Sequence, residues 1–211
     1  MLLFFKINFR ELYHLWRTPY SRLFLWLVFR YGGSGRYRPQ TVRFLGYQAE
    51  VPDALSFLWQ FKEIFADESY RFQTDTDAPL IYNCGANVGV DVLYFKRLYS
   101  KARIKAFEAD PKVADYLRRN VATNALADVE VIAEAVWTEN TTVSFASEGA
   151  DGGSLVVGSQ DIQVPATRLR DHLAREASVD LLKIDIEGAE TAVIEDCADV
   201  LRHVRHVFIE Y

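Results

Sequence analysis

Ile81-Tyr82-Asn83-Cys84-Gly85-Ala86-Asn87-Val88-Gly89 is the stretch that decides the fold. It leaves a short apolar strand, Leu80–Cys84, turns on glycine, and enters a helix expected over Asn87–Ser100. A strand, a glycine turn and a helix in that order form the binding corner of an open α/β sheet, where ligands sit at the carboxyl ends of strands. Gly85 permits the tight turn and lets a ligand approach the backbone. Gly89 lets the helix pack closely, and the helix N-terminus offers N–H donors to a carboxylate.

Downstream, short apolar strands alternate with amphipathic helices. Ile104–Glu108 reads as a second strand, followed by a helix opened by Pro111 with Val113, Leu117 and Val121 on one face. Val129–Ala133 is a third strand. Residues 138–163 break the rhythm; Thr142–Ser147, a Gly/Asp turn and Leu155–Val157 read as an inserted hairpin or as a strand and loop. A helix is expected over Thr167–Ala177, then the strand Asp180–Asp185, a helix striped by Ala189, Val193, Cys197 and Val200, and a last strand, Val207–Glu210. Such alternation predicts an α/β fold with a mostly parallel sheet and helices on both faces.

Upstream, Thr41–Leu45 and Tyr47–Val51 flank Gly46 as a small hairpin, and Asp53 can cap a helix carrying Leu58, Phe61 and Phe65. Gly32, Gly33 and Gly35 read as a linker. Residues 1–30 are aromatic-rich and split by Pro19; Phe5, Phe9, Leu12 and Trp16 recur at helical spacing among Lys6, Arg10 and Arg17. That amphipathic face either packs on the domain or a second copy of the chain, or lies on an anionic membrane surface. The expected divisions are an arm and linker over 1–40, a lead-in over 41–75, and the main domain over 76–211.

Charge is unevenly spread. Residues 1–50 hold eight Lys/Arg against two acids, a net of +6, which leaves 16 basic and 27 acidic residues beyond. The acidic body argues against a nucleic-acid partner. Two cysteines, Cys84 and Cys197, cannot build a disulfide framework or a zinc site, which favours a cytoplasmic location. The longest apolar run, Leu23–Phe29, spans seven residues, far short of the roughly 20 that cross a membrane. No signal-peptide pattern precedes it.

The glycines read GxxxG, not the GxGxxG of a dinucleotide site, a spacing suited to a methionine-type tail. Glu108 ends its strand 23 residues after Gly85, where a carboxylate can accept hydrogen bonds from both hydroxyls of a ribose. NAD enzymes use such an acid too, so Glu108 supports a nucleoside without choosing one. His14, His172, His203 and His206 read as solvated, Cys197 as a buried core thiol, and Ser154 lacks the partners of a hydrolase triad.

IYNCGANVG, AFEADP and LLKIDIEGAE followed by VFIEY resemble the FkbM-type methyltransferases, over roughly residues 79–211. The resemblance implies a class I, Rossmann-like fold using S-adenosylmethionine to methylate hydroxyls of sugars, glycans and some natural products. It implies contacts from Asn83, Gly85, Ala86, Asn87 and Gly89 to the methionine part, and from Glu108 to the ribose. It puts the adenine near Ala109, Asp110, Glu134 and Ala135, and Asp185 and Glu187 at the reaction end. The usual class I strand order sets the Asp185 strand beside the glycine loop, with Glu210 closing the next strand. Asp185 is therefore the first candidate base, then Glu187 and Glu210, with Lys183 on the same face as its partner; Glu190 reads as a favourable first-turn acid. Nothing in the spacing of these carboxylates demands a metal.

Two departures stand out. The family usually has Asp at position 83, so the Asn costs a charged contact to the donor's amino group. Members also continue beyond the Glu-Tyr pair, usually with a His and more strands, so a sheet cut short after the fifth strand is expected. The reading is an O-methyltransferase for a saccharide or glycan intermediate. Its alternatives are a methyltransferase for a small natural-product hydroxyl, a catalytically weak cofactor-binding protein, and an NAD(P) oxidoreductase.

Overall fold

The computed structural model describes residues 18–147, 153–154 and 161–210. The helix expected around Phe5–Trp16, His14, and the Leu155–Val157 part of the insertion lie outside these residues. The chain divides into two units, Met1–Arg71 and Phe72–Tyr211.

The first unit holds α1 (Pro19–Tyr31), β1 (Gln40–Phe44), β2 (Tyr47–Val51) and α2 (Ala54–Phe61), the last running into a π-helical turn at Lys62–Ala66. Pro19 starts a helix rather than only splitting the segment. Thr18 accepts a hydrogen bond from the Ser21 N–H, and proline at the first helical position lacks only a donor that would be unused there. β1 and β2 pair antiparallel across Gly46. The core is aromatic: Phe44 lies 5.2, 5.4 and 5.6 Å from the rings of Phe57, Phe61 and Phe65. The residues on either side of position 40 fall in this one unit. The glycine stretch is pinned through Asp53, which caps α2 by accepting from Leu55 and Ser56 N–H and binds Arg36 Nε at 2.9 Å and Tyr37 N at 2.6 Å.

The second unit is built on a five-stranded sheet: β3 (Leu80–Cys84), β4 (Arg103–Phe107), β5 (Val129–Ile132), β10 (Val179–Ile184) and β11 (Val204–Ile209). Its order is β11-β10-β3-β4-β5, with every pairing parallel. The chain moves outward from β3 to β5 and returns to place β10 on β3's other side, so the order reverses between β3 and β10. Helices α3 (Val90–Leu98) and α4 (Pro111–Thr123) join the first three strands, and α6 (Glu190–Cys197) joins β10 to β11. Leu80, Tyr82, Cys84, Leu182 and Ile184 form one core with Leu169, Leu173, Ala189, Val193 and Cys197. Asn83 and Lys183, side by side in register, fall on the opposite face, where α3 brings Asp91 to Lys183. Helices thus cover both faces, as the alternation predicted.

Between β5 and β10 lies a smaller sheet of β6 (Ala135–Trp137), β7 (Thr141–Ser147), β8 (Gly153–Ser154) and β9 (Asp161–Arg168), in the order β6-β9-β7-β8. It corrects the simple hairpin, or strand and loop, expected there. Pro165 disguised β9, because proline argues against a strand interior, and the helix expected from Thr167 shrinks to α5 (Leu169–Leu173). α3 starts at Val90 rather than Asn87, the three residues between forming the turn. β11 starts at Val204, three residues before the expected strand, because its pairing with β10 begins at Val179–Val204.

Candidate donor-binding and catalytic site

β3 ends at the reversal of strand order, and Gly85 follows with φ +83°. A Cβ on Gly85 would meet the Asp185 carbonyl oxygen at 1.7 Å. The space that a side chain would take at Gly85 is thus filled by the end of β10. Gly89, φ +88°, precedes α3, and a Cβ there would lie 2.6 Å from Leu117 Cδ1; its closeness serves packing against α4.

The turn between them is bonded from within. Gly85 N and Ala86 N donate to Phe107 O at 3.0 and 2.8 Å, and Gly89 N donates to Ala86 O at 2.9 Å. Asn87 N donates to Glu108 Oε2 at 2.8 Å, and Val88 N to Asn87 Oδ1 at 2.7 Å. Each of these five N–H groups has a partner, so they are not a ready cradle for a carboxylate. Asn120 Nδ2, from α4, fastens the turn again at Val88 O.

Glu108 stands where β4 ends. Its other oxygen accepts from Asp110 N at 2.9 Å. Burial pushes its carboxyl up to about 7, against the two backbone N–H groups that favour the ionised form. Each oxygen keeps a lone pair beyond its backbone donor, so the pair can still accept from two vicinal hydroxyls. Of the residues expected around the adenine, Asp110 is buried and caps α4 through Lys112 N and Val113 N. Ala135 is buried with Phe145, Val164 and Ala166, and Ala109 packs against that cluster. Glu134 is half-buried between β5 and β6.

The carboxyl end of β10 brings the acids. Asp185 N donates to Cys84 O, and Glu210 N to Ile184 O, each at 3.0 Å, so both residues follow the sheet at neighbouring strand ends. The Asp185 side chain is 29% exposed, and its Oδ2 lies 3.1 Å from Lys183 Nζ. Glu187, with φ +57°, and Glu210 are exposed. Lys183 is buried; its ammonium also donates to Gly85 O at 2.9 Å and meets Asp91 Oδ2 at 3.1 Å. Asn83 is fully buried, in register with Lys183 on the neighbouring strand.

One residue escaped the sequence reading, and another does more than the sequence suggested. Asp91, in the first turn of α3, is the buried counter-ion of Lys183; a lone acid in the run VGVDVLYF was the available signal. Glu190 is more than a first-turn acid. Its carboxylate folds back to accept from Ile186 N at 2.9 Å and Gly188 N at 2.9 Å, shaping the loop that carries Asp185 and Glu187. The histidines are bonded rather than merely solvated. His172 Nε2 lies 2.9 Å from Thr167 Oγ1, and the Nδ1 atoms of His203 and His206 contact Glu176 O and Asp180 O. Among the described residues, no three His, Cys, Asp or Glu converge to hold a metal.

A glycine turn at the order reversal of a parallel sheet, with a carboxylate closing each flanking strand, defines the class: a Rossmann-like methyltransferase fold of class I. The chain belongs to the FkbM methyltransferase family, since residues 83–211 match the Methyltransferase FkbM domain. It is 30% identical over 172 residues to Methyltransferase sdnD of Sordaria araneosa, covering 64% of this chain and 66% of that protein. It is 28% identical over 155 residues to 2-O-methyltransferase NoeI of Sinorhizobium fredii, covering 63% of each. Hexuronic acid methyltransferase AglP of Haloferax volcanii is 22% identical over 198 residues, 90% of this chain and 80% of that one. The chain thus spans just under two thirds of the length of sdnD and NoeI. The cofactor is S-adenosylmethionine, and the residues present fit it: Glu108 offers paired acceptors to vicinal hydroxyls, and the partly exposed Asp185 offers negative charge toward a cationic donor.

Proposed function

We propose that the protein is an S-adenosylmethionine-dependent O-methyltransferase whose acceptor is a hydroxyl of a saccharide or glycan intermediate. The observation that carries this reading is the Asp185 carboxylate. It is partly open to solvent, beside the glycine turn, and fixed by a buried ammonium. The name of NoeI supports methyl transfer to an oxygen, and that of AglP a sugar-derived acceptor.

When bound, the cofactor supplies a methyl group activated by its sulfonium. The chain's own task is then to hold an acceptor oxygen in line and take its proton. Alignment contributes much of the rate in such displacements. A sugar hydroxyl is a weak nucleophile near neutral pH, and a placed base adds about 10²–10⁴-fold. Asp185 is assigned that role or the orientation of the hydroxyl, with Glu187 and Glu210 lining the same end. Asn83, Gly85, Ala86, Asn87 and Gly89 are assigned to the methionine side of the donor site, Asn83 and Gly85 as its support. Glu108 is assigned to the ribose, and Ala109, Asp110, Glu134 and Ala135 to the border of the adenine subsite. Incubation with labelled donor and a panel of saccharides tests the reading. Label entering sugar hydroxyls supports it; label entering only small non-sugar hydroxyls sinks the glycan part.

A second reading rests on α1. Trp26 and Phe29 are 50% and 86% exposed and share a helical face with exposed Arg22 and Arg30. Among the described residues, no helix is long and apolar enough to cross a membrane. We infer that this face settles on an anionic bilayer surface, its rings in the headgroup boundary and its arginines on the lipid phosphates. Vesicles of phosphatidylcholine with phosphatidylglycerol should float with the protein, and W26A/F29A should stay below. Equal behaviour of the two proteins, or a concentration-dependent dimer that W26A/F29A abolishes, refutes it.

A further inference from the structure

Beneath the glycine turn lies a buried charged cluster. Lys183 Nζ sits 2.9 Å from Gly85 O and 3.1 Å from both Asp91 Oδ2 and Asp185 Oδ2. The side chains of Lys183 and Asp91 are each 4% exposed. Burial alone would drive the ammonium down, but Asp91 and then Asp185 hold it above the ordinary lysine value. Burial pushes the Asp91 carboxyl up, against the opposing pull of Lys183 and of the neighbouring Asn83 carboxamide.

Such a cluster is a poor source of stability. Desolvating a buried pair costs about as much as the attraction returns, and matched apolar replacement is often neutral or better. Its geometry, however, joins three elements that the donor site needs in register. Gly85 O belongs to the turn, Asp185 to the end of β10, and Asp91 to α3, where its other oxygen accepts from Val92 N at 2.8 Å. The ammonium reaches all three.

Resting on the donor-site reading above, we propose that Lys183 is a positioning residue for methyl transfer. Its ammonium, with Asp91 as fixed counter-ion, clamps the carbonyl of the donor turn to the carboxylate of Asp185. The spacing between donor and acceptor-activating group is thereby set before either substrate binds, which is where a misplacement of an ångström is expensive.

The test separates clamping from folding. Lys183→Met alone leaves Asp91 buried and uncompensated and is expected to unfold or weaken the protein. K183M/D91N removes both charges together. It should melt within a few degrees of the parent protein, yet bind S-adenosylhomocysteine roughly tenfold to hundredfold more weakly by calorimetry, the cost of losing hydrogen bonds from a charged group. Lys183→Arg, which keeps a cation between the carboxylates, should recover part of that affinity. Should K183M/D91N not fold, K183Q/D91N keeps a polar donor in the space and is read in the same way. Parent-like affinity in the folded double variant overturns the proposal. So does failure of both charge-neutral pairs to fold, which would make the cluster a folding element. A parent protein that does not bind S-adenosylhomocysteine at all refutes the donor site itself, a result distinct from any behaviour of the variants.

Discussion

The carbonyl oxygen of Asp185 lies 1.7 Å from the point that a Cβ on Gly85 would occupy. The obstacle is backbone, with no flexible side chain to swing away. The turn after β3 and the end of β10 therefore interlock, and the residue that carries the candidate base is the one that makes glycine obligatory on the donor side.

Gly85→Ala should accordingly cost about 3 kcal/mol or more, from overpacking added to left-handed strain. Gly46→Ala is the control. Gly46 has φ +89° but open space around it, so it should lose only about 1–2 kcal/mol. Chemical denaturation of the two variants measures the difference; equal losses would show that the interlock is unimportant.

Donor affinity should rise with pH through the neutral range. Burial holds the Glu108 carboxyl at about 7 in the free protein, and hydroxyl donors favour its ionised form, so binding expels a proton from whichever molecules are protonated. Below pH 6 the site is mostly protonated and affinity falls; above pH 8 it is ionised and affinity levels off. Stability of the free protein runs the other way. A carboxyl raised above its unfolded value penalises the fold once ionised, and that penalty fades as pH drops from about 7 toward about 4.5. Titration with S-adenosylhomocysteine in buffers of different ionisation enthalpy counts the expelled proton. Glu108→Ala should weaken binding roughly tenfold to hundredfold and abolish the pH dependence.

Three carboxylates compete for the role of base, and neutral isosteres sort them. Asp185→Asn should lower kcat by about 10²–10⁴-fold with donor affinity changed far less. Glu187→Gln and Glu210→Gln should fall short of that loss, since it is Asp185 whose carbonyl meets the Gly85 turn and whose carboxylate Lys183 holds. A larger loss at either position would transfer the assignment.

Glu190→Ala should release Ile186 N and Gly188 N together. The expected cost is about 1–3 kcal/mol, seen as a lowered melting temperature. kcat should drop as well, because the loop bearing Asp185 and Glu187 loses its inner brace. Unchanged kcat would mean that the loop holds its shape without Glu190.

Much of the fold was legible because its signals are local. Leu80–Cys84 and Asp180–Ile184 are short apolar runs that suit strands buried on both faces, and Pro111 opens a helix on its striped face. The larger errors arose where distant partners overruled a local signal. β9 contains a proline yet pairs with β7 on one side and β6 on the other; Pro19 is a different case, a local capping signal from the adjacent Thr18 that was read only as a split. In the site, Glu108 was visible as the acid ending β4 and Asp185 as the acid ending β10. Asp91 was overlooked because one acid in an apolar helix carries no mark of its partner 92 residues later.

The sequence by itself determined the order of strands and helices, the positions of both glycines and the acids at the strand ends, since period and turn chemistry act over a few residues. Only the tertiary structure decided what those groups touch. It filled the space over Gly85 with the Asp185 backbone, engaged every N–H from Gly85 to Gly89, and set Lys183 between two carboxylates. Close packing and burial fix such contacts, and they act between residues a hundred positions apart, where no local pattern reaches.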